Sequence, residues 1–331
     1  MNYKTFPKID LHLHLDGAIR VATIAELGAD LGIKLPSYEP KELAKHVQVN
    51  RDCRCLGDFL KRFEVFYPIL PFAKTQERIA YELCEDCRND NVIYFEARFA
   101  PALCQSPQFT MEDAVVAALA GFRRGQRDFS IRCGVILCCY RSVSVQENID
   151  TVKLAHKYRD QGVVGIDLAG DENHFSAMPH AEAFALARKL EIPITIHAGE
   201  GGNPDHIREA VFTHGATRIG HGVSLQNDPE LLKAVRDLGT TFEICLTSNL
   251  QTCTVPSIAA HPFRKFLDEK VRVTLNTDDP AISNITLTDE FALAAREFHL
   301  QPAEIRGLLL NAAQAAFAPE SLRRELAGKL S

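Results

Sequence analysis

Nowhere in this chain of 331 residues does an apolar run approach the roughly 18 residues that a membrane-crossing helix needs. The start, "MNYKTFPKIDLHLH", has no apolar signal core, so the expected location is the cytoplasm. No block of Lys or Arg stands out and the formal net charge is -6. The basic footprint of a nucleic-acid or anionic-membrane binder is therefore missing. There is no internal repeat, low-complexity tract or flexible linker. No Ser-His-Asp or Cys-His order is evident. The ten cysteines do not read as a disulfide framework, which belongs to short secreted chains. Cys84 and Cys87 form a C-x-x-C, but inside "RIAYELCEDCRND", an amphipathic helical pattern. Packed, reduced thiols are expected there instead of a metal or redox pair.

What is present is a hydrophobic fraction of 46%, enough for a large core. Eight runs read as strands: 8–15, 92–100, 131–139, 163–170, 192–199, 217–222, 240–248 and 271–279. Most are rich in Val, Ile and Leu, as strands covered on both faces are. Helical patterns lie between them, such as "MEDAVVAALAGFRRGQRDF" and "DPELLKAVRDLG"; in the latter Asp228 reads as an N-cap with Pro229 at the first helical position. This alternation predicts parallel βα units. Eight of them predict an α/β fold of the closed (β/α)8 TIM-barrel type, one domain over 1–331. The rival, an open doubly wound sheet, normally has a glycine-rich phosphate turn after its first strand, and Asp16-Gly17-Ala18 is not one. Residues 20–90 form an insertion between the first two strands. Its stretch "LGDFLKRFEVFYPIL" places Phe59, Leu60, Phe63 and Phe66 near one helical face. Periodicity alone reads that face as core; the position after a barrel strand also fits a lid over the mouth.

Polar residues gather at the C-terminal strand ends: His12, His14 and Asp16, then His197 and Glu200, then His221, then Asp278 and Asp279. That is the rim where barrel active sites are built. Any one of them could be a satisfied core or turn residue; all of them on one rim point to a site. Three imidazoles and a carboxylate, His12, His14, His197 and Asp278, suit a divalent cation with zinc as first choice, and leave a position for water. A cation there would lower the pKa of that water to about 7. The fourth strand, "VVGIDLAG", has no lysine to bridge two metals, which favours one. Glu96 and Arg98 share a strand face and read as an internal ion pair. Ser248-Asn249 can line the site.

"HLHLDGA", "HAGE", "RIGHG", "LTSN" and "NTDDP", in this order, resemble the adenosine deaminase family of the amidohydrolase barrels, from Pro7 to about Asn311. The resemblance implies one zinc ion per chain and hydrolytic loss of ammonia from C6 of a purine. By similarity, His12, His14, His197 and Asp278 are the zinc ligands and Glu200 protonates purine N1. His221 orients the attacking water and aids its deprotonation. Asp279 partners N7, the Gly170 backbone donates to N3, and Asp16 binds a ribose hydroxyl. "DFLKRFEVFYPIL" resembles the family's helix beside the pocket mouth, which makes Phe59, Leu60, Phe63 and Phe66 lid residues. The nucleic-acid deaminase signature, H-x-E with P-C-x-x-C, is absent.

Free-base relatives carry Glu where Asp16 stands, so the resemblance favours a ribosyl substrate. Adenosine and 2′-deoxyadenosine lead, as small-molecule partners; aminofutalosine or adenine is the alternative. A catalytically silent nucleoside-binding relative is the reading from another class. Retention of every ligand position and of Glu200 argues for the enzyme.

Overall fold

Eight parallel strands alternate with helices in the computed structural model, which describes residues 2–50 and 52–330. The strands are β1 (Lys8–His14), β2 (Val92–Phe99), β3 (Arg132–Tyr140), β4 (Val163–Ala169), β5 (Thr195–Ala198), β6 (Arg218–His221), β7 (Thr241–Ile244) and β8 (Arg272–Leu275). β1 to β4 form one four-stranded sheet and β5 to β8 another, each in chain order. A single parallel bridge closes each seam: Ile166 to Ile194 on one side, Leu13 to Asp278 on the other. The expected (β/α)8 barrel is therefore the fold.

Local chemistry fixes the outer helices. Thr110 and Asp113 make a reciprocal capping box ahead of the helix Met111–Phe129, satisfying donors the first turn leaves free. Asp228 accepts from the Leu231 N–H, Pro229 opens the helix Pro229–Leu238, and left-handed Gly239 ends it, each as its backbone preference dictates. Cys84 and Cys87 are buried in the helix Ala73–Asn89, and all ten cysteines are free thiols. No helix among the described residues is long and apolar enough to cross a membrane.

Charge fills the barrel interior. Arg98 lies 3.1 Å from Asp167 and 2.8 Å from Glu243. Arg218 lies 2.6 Å from both Glu96 and Glu243. The expected Glu96–Arg98 pair is thus corrected. The two side chains share a strand, but the closed barrel offers each a partner from across the axis. Glu96 also accepts from the Tyr94 hydroxyl and the Phe317 N–H.

The insertion carries the helices Val21–Leu31, Pro40–Val47 and Ala73–Asn89. Its stretch "LGDFLKRFEVFYPIL" departs from the expected single helix and breaks into three short helical pieces, Leu56–Leu60, Phe63–Val65 and Tyr67–Ile69. Pro68 has no N–H to continue a helix and its ring would strike the preceding turn; Phe66 leaves the helical region with φ -121°.

Candidate active site

The alternation of β1 turns His12 and His14 toward the barrel mouth. His197 comes from β5. Asp278 follows β8 and is zipped onto β1: its N–H donates to the His12 carbonyl at 2.8 Å, and the His14 N–H donates to its carbonyl at 2.7 Å. This requires a left-handed φ of 64°, and His221, at the end of β6, has φ 61°. Non-glycine residues there cost about 1–3 kcal/mol each and cluster at functional sites.

The four candidate ligands converge. His12 Nε2 is 3.1 Å and His14 Nε2 3.3 Å from Asp278 Oδ1. His14 Nε2 is 3.1 Å from His197 Nε2, and all four donor atoms lie within 4.8 Å of one another. Corners of a tetrahedron with ligands about 2.1 Å from a cation are about 3.4 Å apart, so the spacing fits one ion. The donor chemistry fits as well. His12 Nδ1 lies 2.8 Å from Glu243 Oε2, while its buried Nε2 has no hydrogen-bond partner. His197 Nδ1 lies 2.9 Å from Asp167 Oδ2. Carboxylates behind imidazoles leave the outer nitrogens unprotonated, as cation binding demands. Against burial, Arg98 and Arg218 hold Glu243 well below the usual carboxylate range. Gly220 has no room for a side chain, since a Cβ would lie 2.8 Å from His12 Cε1.

Beside this group stand three carboxyls of the opposite character. Burial, then the charges of Asp278 and Glu172, push Glu200 well above its ordinary pKa. Burial, with Asp278, Asp16 and Glu200, does the same to Asp279. Asp16 is pushed up to about 6 by burial. Asp16 Oδ1 and Asp279 Oδ1 are buried without partners. Gly17 keeps this pair close: a Cβ there would sit 1.7 Å from Asp279 Oδ1. His221 Nε2 is 3.7 Å from Glu200 Oε2 and 3.9 Å from Asp278 Oδ2, and burial holds the ring neutral.

The cavity in front is walled by Asp16, Phe59, Leu60, Phe63, Gly170, Glu200, His221 and Asp279, all expected from sequence. Phe66 is brought in behind them: it is fully buried, its ring 5.6 Å from Phe63 and 6.1 Å from Tyr67. Because the insertion is kinked, Leu56 and Tyr67 join the wall and Phe66 does not. Tyr140 and Thr252 also line it, and no Lys or Arg does among the described residues. Sequence reasoning missed Glu172, which accepts from the Gly199 and Gly201 N–H groups and lies 3.1 Å from His206 Nδ1. It clamps the loop that carries Glu200. Its position just beyond the fourth strand, in "LAGDE", was the available signal.

A family model described as adenosine deaminase matches residues 7–331. The adenosine deaminase of Clostridium perfringens (strain ATCC 13124) is 37% identical over 326 residues, 98% of each chain. The N6-methyl-AMP deaminase of Arabidopsis thaliana superposes with a TM-score of 0.87 at 30% identity, over 99% of this chain and 97% of that one. An amidohydrolase from Burkholderia ambifaria, solved with bound Zn, gives 0.90 at 25% identity, over 99% and 91%.

Proposed function

The chain belongs to the adenosine deaminase family, and from that membership we propose that it hydrolyses adenosine and 2′-deoxyadenosine to inosine and 2′-deoxyinosine with release of ammonia. That it is a metal-dependent hydrolytic deaminase follows from the family and from its deaminase structural neighbours. His12, His14, His197 and Asp278 would hold one zinc ion. When bound, that cation supplies the Lewis acidity that makes hydroxide available at neutral pH.

The remaining work belongs to the side chains. A carboxyl kept protonated at neutral pH is a general acid. Glu200 fills that role, its proton going to purine N1, which leaves C6 open to attack by water. Asp279 offers its own proton to N7 and fixes the ring's orientation. The partnerless Asp16 Oδ1 accepts from a ribose hydroxyl, while the Gly170 backbone and the aromatic wall of Phe59 and Phe63 seat the purine. The barrel and its insertion act as one unit, because the insertion supplies that wall.

The observation that carries the reading is the juxtaposition of a four-donor metal group with the buried carboxyls Glu200 and Asp279, both pushed well above their ordinary pKa, in one cavity. The cavity wall has acidic and apolar groups but no Lys or Arg among the described residues, which favours a neutral nucleoside over a nucleotide, since phosphate recognition calls on Arg or Lys. The test is ammonia release, with zinc present, from adenosine, 2′-deoxyadenosine, adenine, AMP and aminofutalosine. Adenosine and deoxyadenosine are expected to lead in kcat/KM. Preference for adenine would remove the role given to Asp16, preference for AMP or aminofutalosine would overturn the choice of substrate, and turnover of none would favour a binding protein.

A further inference from the structure

A chain of three hydrogen bonds runs into the site from behind His221. The Phe263 N–H donates to His261 Nδ1 at 3.0 Å. His261 Nε2 lies 3.1 Å from Asn249 Oδ1, and Asn249 Nδ2 lies 3.0 Å from His221 Nδ1. Asn249 sits on the short helix Leu246–Gln251, and His261 just precedes the helix Phe263–Asp268. All three side chains are buried.

The direction of every proton in this chain is set by its far end. A backbone N–H can only donate, so His261 Nδ1 accepts and its neutral ring carries the proton on Nε2. Burial alone presses the His261 pKa down to about 3, so the ring stays neutral. His261 Nε2–H then donates to Asn249, whose oxygen must face it. Reversing the amide would set NH2 against N–H, two donors with no acceptor. Asn249 therefore turns its NH2 to His221, and His221 Nδ1 accepts. The proton of neutral His221 must sit on Nε2, the atom facing Glu200 and Asp278.

We infer that Asn249 and His261 are positioning residues that hold His221 as an Nε2–H donor toward the attacking oxygen, and prevent it from serving as a base. This rests on the deaminase reading above and revises the part that the family resemblance implies for His221, aid in deprotonating the water. An imidazole whose Nε2 already carries hydrogen cannot take a proton there. Gaining a second proton at Nδ1 would turn that nitrogen's N–H against the Asn249 amide. What remains for His221 is to stabilise negative charge on the oxygen as it attacks C6.

The test uses 15N-histidine-labelled, zinc-loaded enzyme, with the His221 ring signals assigned by their loss in His221→Asn. Long-range 15N–1H spectra of the wild type should show a protonated Nε2 and a bare Nδ1. Asn249→Asp offers only acceptors, so it should move the proton to Nδ1 and lower kcat by about 10²-fold with KM little changed. His261→Leu breaks the chain and should lower kcat. His261→Gln can accept from Phe263 and donate to Asn249, so it should restore most of that loss. Wild-type His221 protonated on Nδ1, an Asn249→Asp kcat near wild type, or equal losses in both His261 variants would overturn the inference. Failure of the wild type on every aminopurine would defeat the proposed function, while the ring spectra would still decide the tautomer.

Discussion

Glu200 is enclosed by protein, and burial outweighs each of the neighbouring charges of Asp278, Glu172 and Asp171 in raising its pKa. A hydrogen bond with Thr252 opposes them, but burial and the carboxylate charges prevail, so the side chain holds its proton more tightly than an exposed glutamate would. Glutamine copies the shape of the protonated acid but has no proton of the right acidity to give. Glu200→Gln should keep its zinc and lose about 10²–10⁴-fold in kcat, the usual worth of a general acid. Metal analysis beside steady-state rates checks both halves, and turnover near wild type would reject the role. Asp279 differs: its partnerless Oδ1 points to a binding contact, with the orientation of the base as its task.

At the scale of elements, the short helix Leu246–Gln251 is held at its start by Glu290 from the helix Leu287–Glu297. Glu290 accepts from the Leu246 N–H at 2.9 Å, and from the Thr247 N–H and hydroxyl. Burial nevertheless pushes its pKa from 4.5 up to about 7. A carboxyl whose folded pKa is raised stabilises most while protonated. Its contribution is complete below the unfolded value and fades as pH climbs through the folded one. A shift of this size corresponds to about 3 kcal/mol. Glutamine keeps the protonated form's hydrogen bonds at every pH. Urea unfolding should therefore show Glu290→Gln gaining on wild type by up to about 3 kcal/mol between pH 4.5 and pH 8. A constant difference would contradict the assignment.

The same helix marks how far sequence reading reached. Strand starts, the Met111–Phe129 helix and the Asp228-Pro229 cap were legible, because they depend on local patterning. The expected seventh and eighth strands ran on to 248 and 279, but β7 ends at Ile244 and β8 at Leu275. Beyond them the backbone is governed by distant partners, Glu290 for one and His12 and His14 for the other. The partners of Glu96 and Arg98, the withdrawal of Phe66 and the clamp of Glu172 were likewise illegible, since each depends on what the closed barrel or a kinked insertion brings near. The candidate metal and acid residues stood out because polar side chains at the ends of apolar strands have few structural uses.

Taken as a whole, the molecule stacks two layers of polar groups inside its barrel. Arg98 and Arg218 pair with Asp167, Glu243 and Glu96, and two of those carboxylates stand behind His197 and His12. The ionic layer thus supports the layer of candidate metal ligands. Arg98→Met would leave Asp167 without its arginine and Glu243 with only Arg218. Denaturant titration should show a loss of about 3–5 kcal/mol, the cost of stripping one partner from a buried ion pair, and zinc retention should weaken with it. Unchanged stability would show that the network is dispensable.

The most direct measurement is the zinc content of wild type, His14→Ala and His197→Ala after exhaustive dialysis, read alongside adenosine turnover. One ion per wild-type chain, with zinc and turnover lost together in both variants, is the predicted result. A full equivalent of zinc retained in either variant would contradict it, because the ion would then be held elsewhere.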